Sequence, residues 1–268
     1  MTEPRAAPLP LDEDRVDVWL TALGAVEHDL LSSYVRLLST AERERWQRFL
    51  VRHAADQYLT GRALLRTTLS RYAPVPEDAW VFETNAYGCP SVAEPAALRD
   101  LRFNLSHTEG LVACAVTRRS EVGVDVESTG REIDPMALAP MVFAAPEVGD
   151  VAATPPEARR QRFFAYWTLK EAYIKARGMG ISLALDGFWF ELDGPAPRIH
   201  FSDRCPDREE RWQVWRWQPT PTHALALAVA TPSGRTPHLV VRWVVPTLPA
   251  SAITANRGGD TDGRPALR

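Results

Sequence analysis

Lysine is almost missing from this chain of 268 residues: among 31 basic residues only Lys170 and Lys175 are lysines, and both fall in one short stretch. A genome that favours arginine would account for the scarcity. The clustering has a physical reading as well, because lysine is a compact point charge on a flexible stem where arginine is a rigid planar fork. Cysteine is also scarce. Cys89, Cys114 and Cys205 are odd in number and far apart, so they are neither a disulfide framework nor a zinc pattern. No apolar run approaches the ~18 residues of a membrane span, and residues 1–10 lack the apolar stretch of a secretory signal. A cytoplasmic protein with no membrane partner is expected. The net charge of −3 is the wrong sign for general nucleic-acid binding. The remaining composition, 45% hydrophobic and 24% charged, is that of a globular protein with a sizeable core.

The order of periodicities suggests an α/β fold. Residues 15–23 alternate as a strand, 41–50 and 53–72 read as helices, and 80–83, 101–105 and 111–117 read as strands, with a turn at 85–90. The pattern then starts again. A strand at 121–127 precedes a helical region at 135–142 and a stronger helix at 157–177, stopped by Gly178. Strands are predicted at 188–192, 212–218, 224–230 and 239–245. Two similar α/β halves, 1–120 and 121–245, are therefore expected, followed by a polar, disordered tail over 246–268.

Asp125 and Glu127 lie two apart on a predicted strand, so their side chains share a face while Val124 and Val126 face a core. Adjacent carboxylates repel unless a proton or cation lies between them, and oxygen ligands suit Mg²⁺. A solvated strand end before the turn at 128–130 would show the same pair. On the following helix, Phe163, Trp167 and Ile174 form a stripe that includes Glu171, while Leu169, Ala172 and Ala176 cover much of the other side. Such a helix is buried, and buried charge needs a partner. Glu171 and Lys175, at i,i+4, could pair with each other; Lys170 has no local partner. Ser106 and His107 follow a strand and are placed in the connection before the next one. There they could bind phosphate or be an ordinary turn serine and histidine. A serine-hydrolase pair is disfavoured, since adjacent residues seldom reach nucleophile–base geometry and no G-x-S-x-G elbow is present.

Four stretches in this order, FNLSH (103–107), GVDVE (123–127), WTLKEAYIK (167–175) and GMGISLALDGF (178–188), resemble the surfactin-type 4′-phosphopantetheinyl transferases of the holo-acyl-carrier-protein synthase superfamily. The resemblance runs from about residue 38 to residue 230. It implies a pseudo-twofold α/β monomer that moves the 4′-phosphopantetheine arm of coenzyme A onto a serine of an acyl or peptidyl carrier protein. By position it makes Asp125, Glu127 and Glu171 the ligands of Mg²⁺ (or Mn²⁺), with Glu171 and Lys175 catalytic and Glu171 the candidate base. Ser106, His107, Lys170 and Lys175 become contacts to the coenzyme A phosphates, with Gly88, Arg45 and Arg52 completing its site. Two departures stand out: Glu42 replaces a residue often basic in relatives, and Cys89 stands where many have lysine. The carrier would dock at 131–148, where Met136, Met141 and Phe143 offer an adaptable apolar contact in a proline-broken stretch; the same residues could simply cover the sheet. A metal-dependent nuclease or phosphodiesterase would share the carboxylates and lysine but needs a basic face. A non-catalytic carrier-binding relative would be expected to lose part of the carboxylate set.

Overall fold

A computed structural model describes residues 7–231 and 235–248. The chain runs β1 (Arg15–Ala22), α1 (His28–Ser33), α2 (Thr40–Gln47), α3 (Arg52–Leu69), β2 (Val81–Thr84), β3 (Pro90–Glu94), β4 (Leu101–Thr108) and β5 (Leu111–Arg118). It continues with β6 (Val122–Ser128), α4 (Pro135–Val142), α5 (Ala145–Ala153), α6 (Pro156–Arg177), β7 (Phe188–Glu191), β8 (Arg198–Phe201), β9 (Trp212–Thr220), β10 (His223–Ala230) and β11 (His238–Trp243). The main sheets are ordered β11-β1-β5-β4 and β6-β10-β9. The order β1-β5-β4 of one thus recurs as β6-β10-β9 in the other, and each half also carries a two-stranded hairpin, β2-β3 or β7-β8.

Alternation along the strands explains how the layers stack. In β10 (HALALAVA), Leu225, Leu227 and Val229 meet Val16, Val18 and Leu20 of β1 and Val122, Val124 and Val126 of β6 in a core between the sheets. The alternate residues Ala224, Ala226 and Ala228 face α6 on the outer side. They are small, so the helix lies close. In β5, Val112, Cys114 and Val116 face outward in the same way, against Leu64, Leu65 and Leu69 of α3. The result is a helix–sheet–sheet–helix stack, an α/β fold. Gly123 sets the closest approach: a Cβ there would lie 2.0 Å from the Ala172 carbonyl oxygen of α6. That one missing side chain brings α6 down onto β6. At its other end α6 stops on Gly178, whose φ of 61° is the left-handed conformation of a C-cap. The Asn85 amide donates to the Gly178 carbonyl at 2.8 Å, tying the β2–β3 turn to that helix end.

Several expectations need correction. Ser106 and His107 lie inside β4, which runs to Thr108, and not in the connection after it. The last strand, β11, belongs by sequence to the expected second half, yet it pairs in parallel with β1 of the first sheet. Of the expected tail, residues 246–248 are packed: Leu248 is buried and the Tyr34 hydroxyl donates to the Pro246 carbonyl at 2.6 Å. Residues 249–268 lie outside the described residues. The expected helical region at 135–142 is α4, which starts on Pro135 and carries Pro140 inside it, and a second helix, α5, follows with Pro146 in its first turn, where no amide is needed. β3, β8, α1 and α5 lie outside the elements that the sequence pattern predicts.

Candidate active site

β6 presents Asp125 and Glu127 toward α6, and the close approach at Gly123 sets Glu171 and Lys175 of α6 opposite them. With Ser106, His107 and Trp167 these side chains line a cavity of about 290 Å³. Asp125 is only 4% exposed. Its Oδ1 accepts from Lys175 Nζ at 2.6 Å and from the Ser106 hydroxyl at 2.9 Å, whereas its Oδ2 is buried with no hydrogen-bond partner. Lys175 also donates to Ser106 Oγ at 3.0 Å. The lysine therefore turns across the cleft to β6, and its partner is Asp125 and not the helical neighbour Glu171. Glu127 accepts from the Trp167 indole N–H at 3.2 Å. Burial and then the Asp125 charge push the Glu127 carboxyl above its ordinary range, against Arg131, Trp167 and Lys175. Burial and Asp125 do the same to Glu171, with Lys175 opposing. Three carboxylates in one half-buried cleft thus carry more negative charge than the single lysine offsets. Among the described residues, no three His, Cys, Asp or Glu side chains converge closely enough to form a ready-made metal cage.

A larger cavity of about 570 Å³ adjoins the first, sharing Leu105 and His107. Its wall is basic. Arg45 and Arg62 both stack on the Tyr58 ring, at 5.4 and 5.3 Å from its centroid. Glu42, in the position expected to be basic, closes a capping box with Ser39 and pairs with Arg66 at 2.7 Å and Arg62 at 3.5 Å. Burial alone would raise its pKa, but Arg66, the Ser39 amide and Arg62 outweigh it and hold Glu42 ionised below the ordinary range. Arg62 keeps a buried Nε without a partner. His107 projects exposed between the two cavities; crowding and then the charges of Lys175, Arg62 and Arg45 lower its pKa, which keeps it neutral near pH 7. Gly88, at a positive φ of 82°, lines the same cavity.

Two expected coenzyme A contacts do not reach either cavity. Lys170 is 1% exposed on the opposite side of α6. It pairs with the fully buried Glu147 of α5 at 2.9 Å and donates to the Leu185 and Phe188 carbonyls, each at 2.7 Å. Its charge is spent on locking α5, α6 and β7 together, because neighbouring helix positions differ in direction by ~100°. Arg52 lies at the start of α3 against His28 and Asp56, away from the basic wall. Ser106 does line the site, but its hydroxyl is held by Asp125 and Lys175. Residues that sequence reasoning missed are Arg62, Arg66 and Tyr58 on α3, and Trp167 as the donor to Glu127.

The cleft of carboxylates and a lysine and the basic cavity beside it lie within the stretches of the chain that known proteins match. A family model described as the 4′-phosphopantetheinyl transferase superfamily matches residues 121–230, and one described as 4′-phosphopantetheinyl transferase, N-terminal, matches residues 26–119. The 4′-phosphopantetheinyl transferase HetI of Nostoc sp. is 34% identical over 179 residues, 67% of this chain and 75% of that relative. The 4′-phosphopantetheinyl transferase Sfp of Bacillus subtilis is 30% identical over 201 residues, 74% of this chain and 85% of that relative. A crystal structure of Thermotoga maritima holo-acyl-carrier-protein synthase overlaps 41% of this chain and 62% of its own, with 21% identity and a TM-score of 0.34. The chain belongs to the surfactin-type 4′-phosphopantetheinyl transferase family and is an enzyme of that class. No helix among the described residues is long and apolar enough to cross a membrane.

Proposed function

We propose that this enzyme transfers the 4′-phosphopantetheine arm of coenzyme A to a serine of an acyl or peptidyl carrier protein, as a cytoplasmic monomer, with Mg²⁺ or Mn²⁺ held by Asp125, Glu127 and Glu171. In this reading the halves 1–120 and 121–245 hold coenzyme A between them. The supporting observation is Asp125 Oδ2, a buried carboxylate oxygen without a donor, on a residue that lines one cavity with Glu127 and Glu171. An unsatisfied buried oxygen is costly, and oxygen donors of this kind fit a hard divalent ion. Such an ion, when bound, supplies positive charge to the pyrophosphate and the leaving group.

The side chains have separate tasks. Lys175, held on the cleft wall by Asp125, Ser106 and the Val124 carbonyl, brings a positive charge to the place a phosphoryl group would occupy. Trp167 holds Glu127 in place through its N–H. Glu171, whose carboxyl is pushed above its ordinary range by burial and the Asp125 charge, faces the cleft as the candidate to accept the serine proton. The carrier serine oxygen attacks the β-phosphorus: a new O–P bond forms, the P–O bond to 3′,5′-ADP breaks, and Glu171 takes the serine proton. The reading is tested by incubating apo-carrier with coenzyme A and measuring intact mass. One added phosphopantetheine is expected with Mg²⁺, and none after chelation or on a carrier whose serine is alanine. Modification that survives chelation would sink the metal assignment.

The adenosine and 3′-phosphate end falls in the basic cavity. Removing one charge there by Arg62→Met should raise KM for coenzyme A about tenfold and leave kcat within about twofold, as loss of uniform binding does. An unchanged KM in that titration would leave Arg45 as the binding charge. The carrier is taken to dock on α4, where Met136 and Met141 are 41% and 76% exposed. Phe143 drops out of that surface, because it is buried 4.8 Å from the Phe163 ring. Met141→Glu should raise KM for an acidic carrier several-fold, roughly the cost of one unfavourable rim charge, with KM for coenzyme A unaffected. A KM for carrier that does not move places docking elsewhere.

A further inference from the structure

β6 has two edges. One pairs with β10, Ala226 opposite Asp125 and Ala224 opposite Glu127. The other faces β4, the outermost strand of the first sheet, and no backbone ladder joins these two strands. Strand geometry turns every second amide toward that edge, here Val124, Val126 and Ser128. Each is met by a side chain of β4. Asn104 Oδ1 accepts from the Val124 amide at 3.0 Å, Ser106 Oγ from Val126 at 3.3 Å and Thr108 Oγ1 from Ser128 at 3.1 Å. The three acceptors sit two residues apart on one face of β4, so side chains replace the missing ladder rung by rung. Two of the rungs reach further. With its oxygen fixed by a β6 amide, the Ser106 hydroxyl donates to Asp125 Oδ1 at 2.9 Å and the Thr108 hydroxyl to Glu127 Oε2 at 3.4 Å. A hydroxyl has one proton to give, and in both cases it goes to a cleft carboxylate.

We propose that Asn104 and Thr108 are positioning residues for phosphopantetheine transfer: with Ser106 they form a side-chain ladder that sets the register of the carboxylate strand against the basic half of the cleft, and Thr108 also orients Glu127. A backbone ladder would draw the two edges to ~4.8 Å and close the seam into one sheet. Interposed side chains hold the edges apart while still dictating which β6 residue stands opposite which β4 residue. A slip of one residue would turn Asp125 and Glu127 into the core. Thr108 is the informative rung, because it is half-exposed and its oxygen serves both strand and carboxylate. The inference rests on the reading of Asp125 and Glu127 as functional carboxylates.

Thr108→Val keeps the shape and removes the hydroxyl, whereas Thr108→Ser keeps the hydroxyl. In the full-length protein, Thr108→Val is expected to lower kcat about tenfold and to weaken Mn²⁺ binding, read by electron paramagnetic resonance without coenzyme A, by a similar factor, which is the usual loss on removing an outer partner of a ligand. KM for coenzyme A should stay within about twofold, and Thr108→Ser should match wild type in all three. Hydrogen exchange at the Ser128 amide should accelerate in Thr108→Val alone. Faster exchange with unchanged kcat and Mn²⁺ affinity would show a rung that only holds the halves together, and equal losses in both variants would show an effect of shape; either result overturns the proposal. If Thr108→Val does not fold, Thr108→Ala is read against Thr108→Ser by the same criteria. A wild-type protein that loads no carrier overturns the functional reading itself, a result distinct from any difference among the variants.

Discussion

Asp125→Asn and Glu171→Gln are each expected to lower transfer by at least about a thousandfold, the scale on which removing charge stabilisation from a phosphoryl-transfer site acts. The substitutions preserve shape, and each takes one negative charge out of a cleft where Asp125 already pushes the Glu127 and Glu171 carboxyls upward. The folded protein should therefore lose little stability, and thermal midpoints within a few degrees of wild type are expected. Asp125→Asn removes the carboxylate that Lys175 reaches at 2.6 Å, but that ammonium keeps Ser106 Oγ at 3.0 Å and remains partly exposed to water. Loss of activity without loss of fold assigns both carboxylates to the chemistry. Either variant turning over like wild type at saturating Mg²⁺ removes that residue from the site.

Lys170→Met is expected to act in the opposite way. It leaves Glu147 fully buried with its ammonium partner gone, which costs about 3–5 kcal/mol and lowers the thermal midpoint by on the order of 10 °C in a chain of this size. The remaining donors to Glu147 are the amides of Phe190 at 3.0 Å and Ala144 at 2.9 Å, too few to hold a buried charge. Adding Glu147→Gln should recover about half of the lost stability, since the orphaned charge disappears with it. KM for coenzyme A, measured well below the midpoint, should not change. If instead KM rises while the midpoint stays put, Lys170 has the phosphate role that its place in the motif suggested.

Those two lysines show where the sequence was readable. The alternation of Asp125 and Glu127 with Val124 and Val126 is local, and it correctly separates a cleft face from a core face. Lys170 could not be placed locally, because its partner Glu147 lies on another helix. The end of β4 was misplaced for a different reason. Leu101, Phe103 and Leu105 alternate as an apolar face that His107 interrupts, so the sequence marks the strand's end at Leu105; it continues because Ser106 and Thr108, with Asn104, face the backbone of β6. Arg62 was hidden inside a helix whose apolar face dominated its reading, and its role depends on Glu42 and Tyr58 folding beside it. β3 and β8 are short strands of isolated hairpins, five and four residues long, with little periodicity to detect.

The position of β11 bears on the order in which the molecule can be completed during synthesis. β1 is made before every other strand of its sheet, and one of its two neighbours there, β11, is made far later. Until then Asp17, which is fully buried in the finished protein, lacks the Arg242 guanidinium that donates to it at 2.9 Å from 225 residues away along the chain. The first half can collapse early around α3 and β5, but with an open strand edge and an incompletely neutralised carboxylate. Such edges invite wrong pairing, and contacts of this sequence separation slow folding. A nascent chain of this enzyme therefore passes through a long interval in which its amino-terminal sheet is exposed, the interval in which a chaperone would have most to protect.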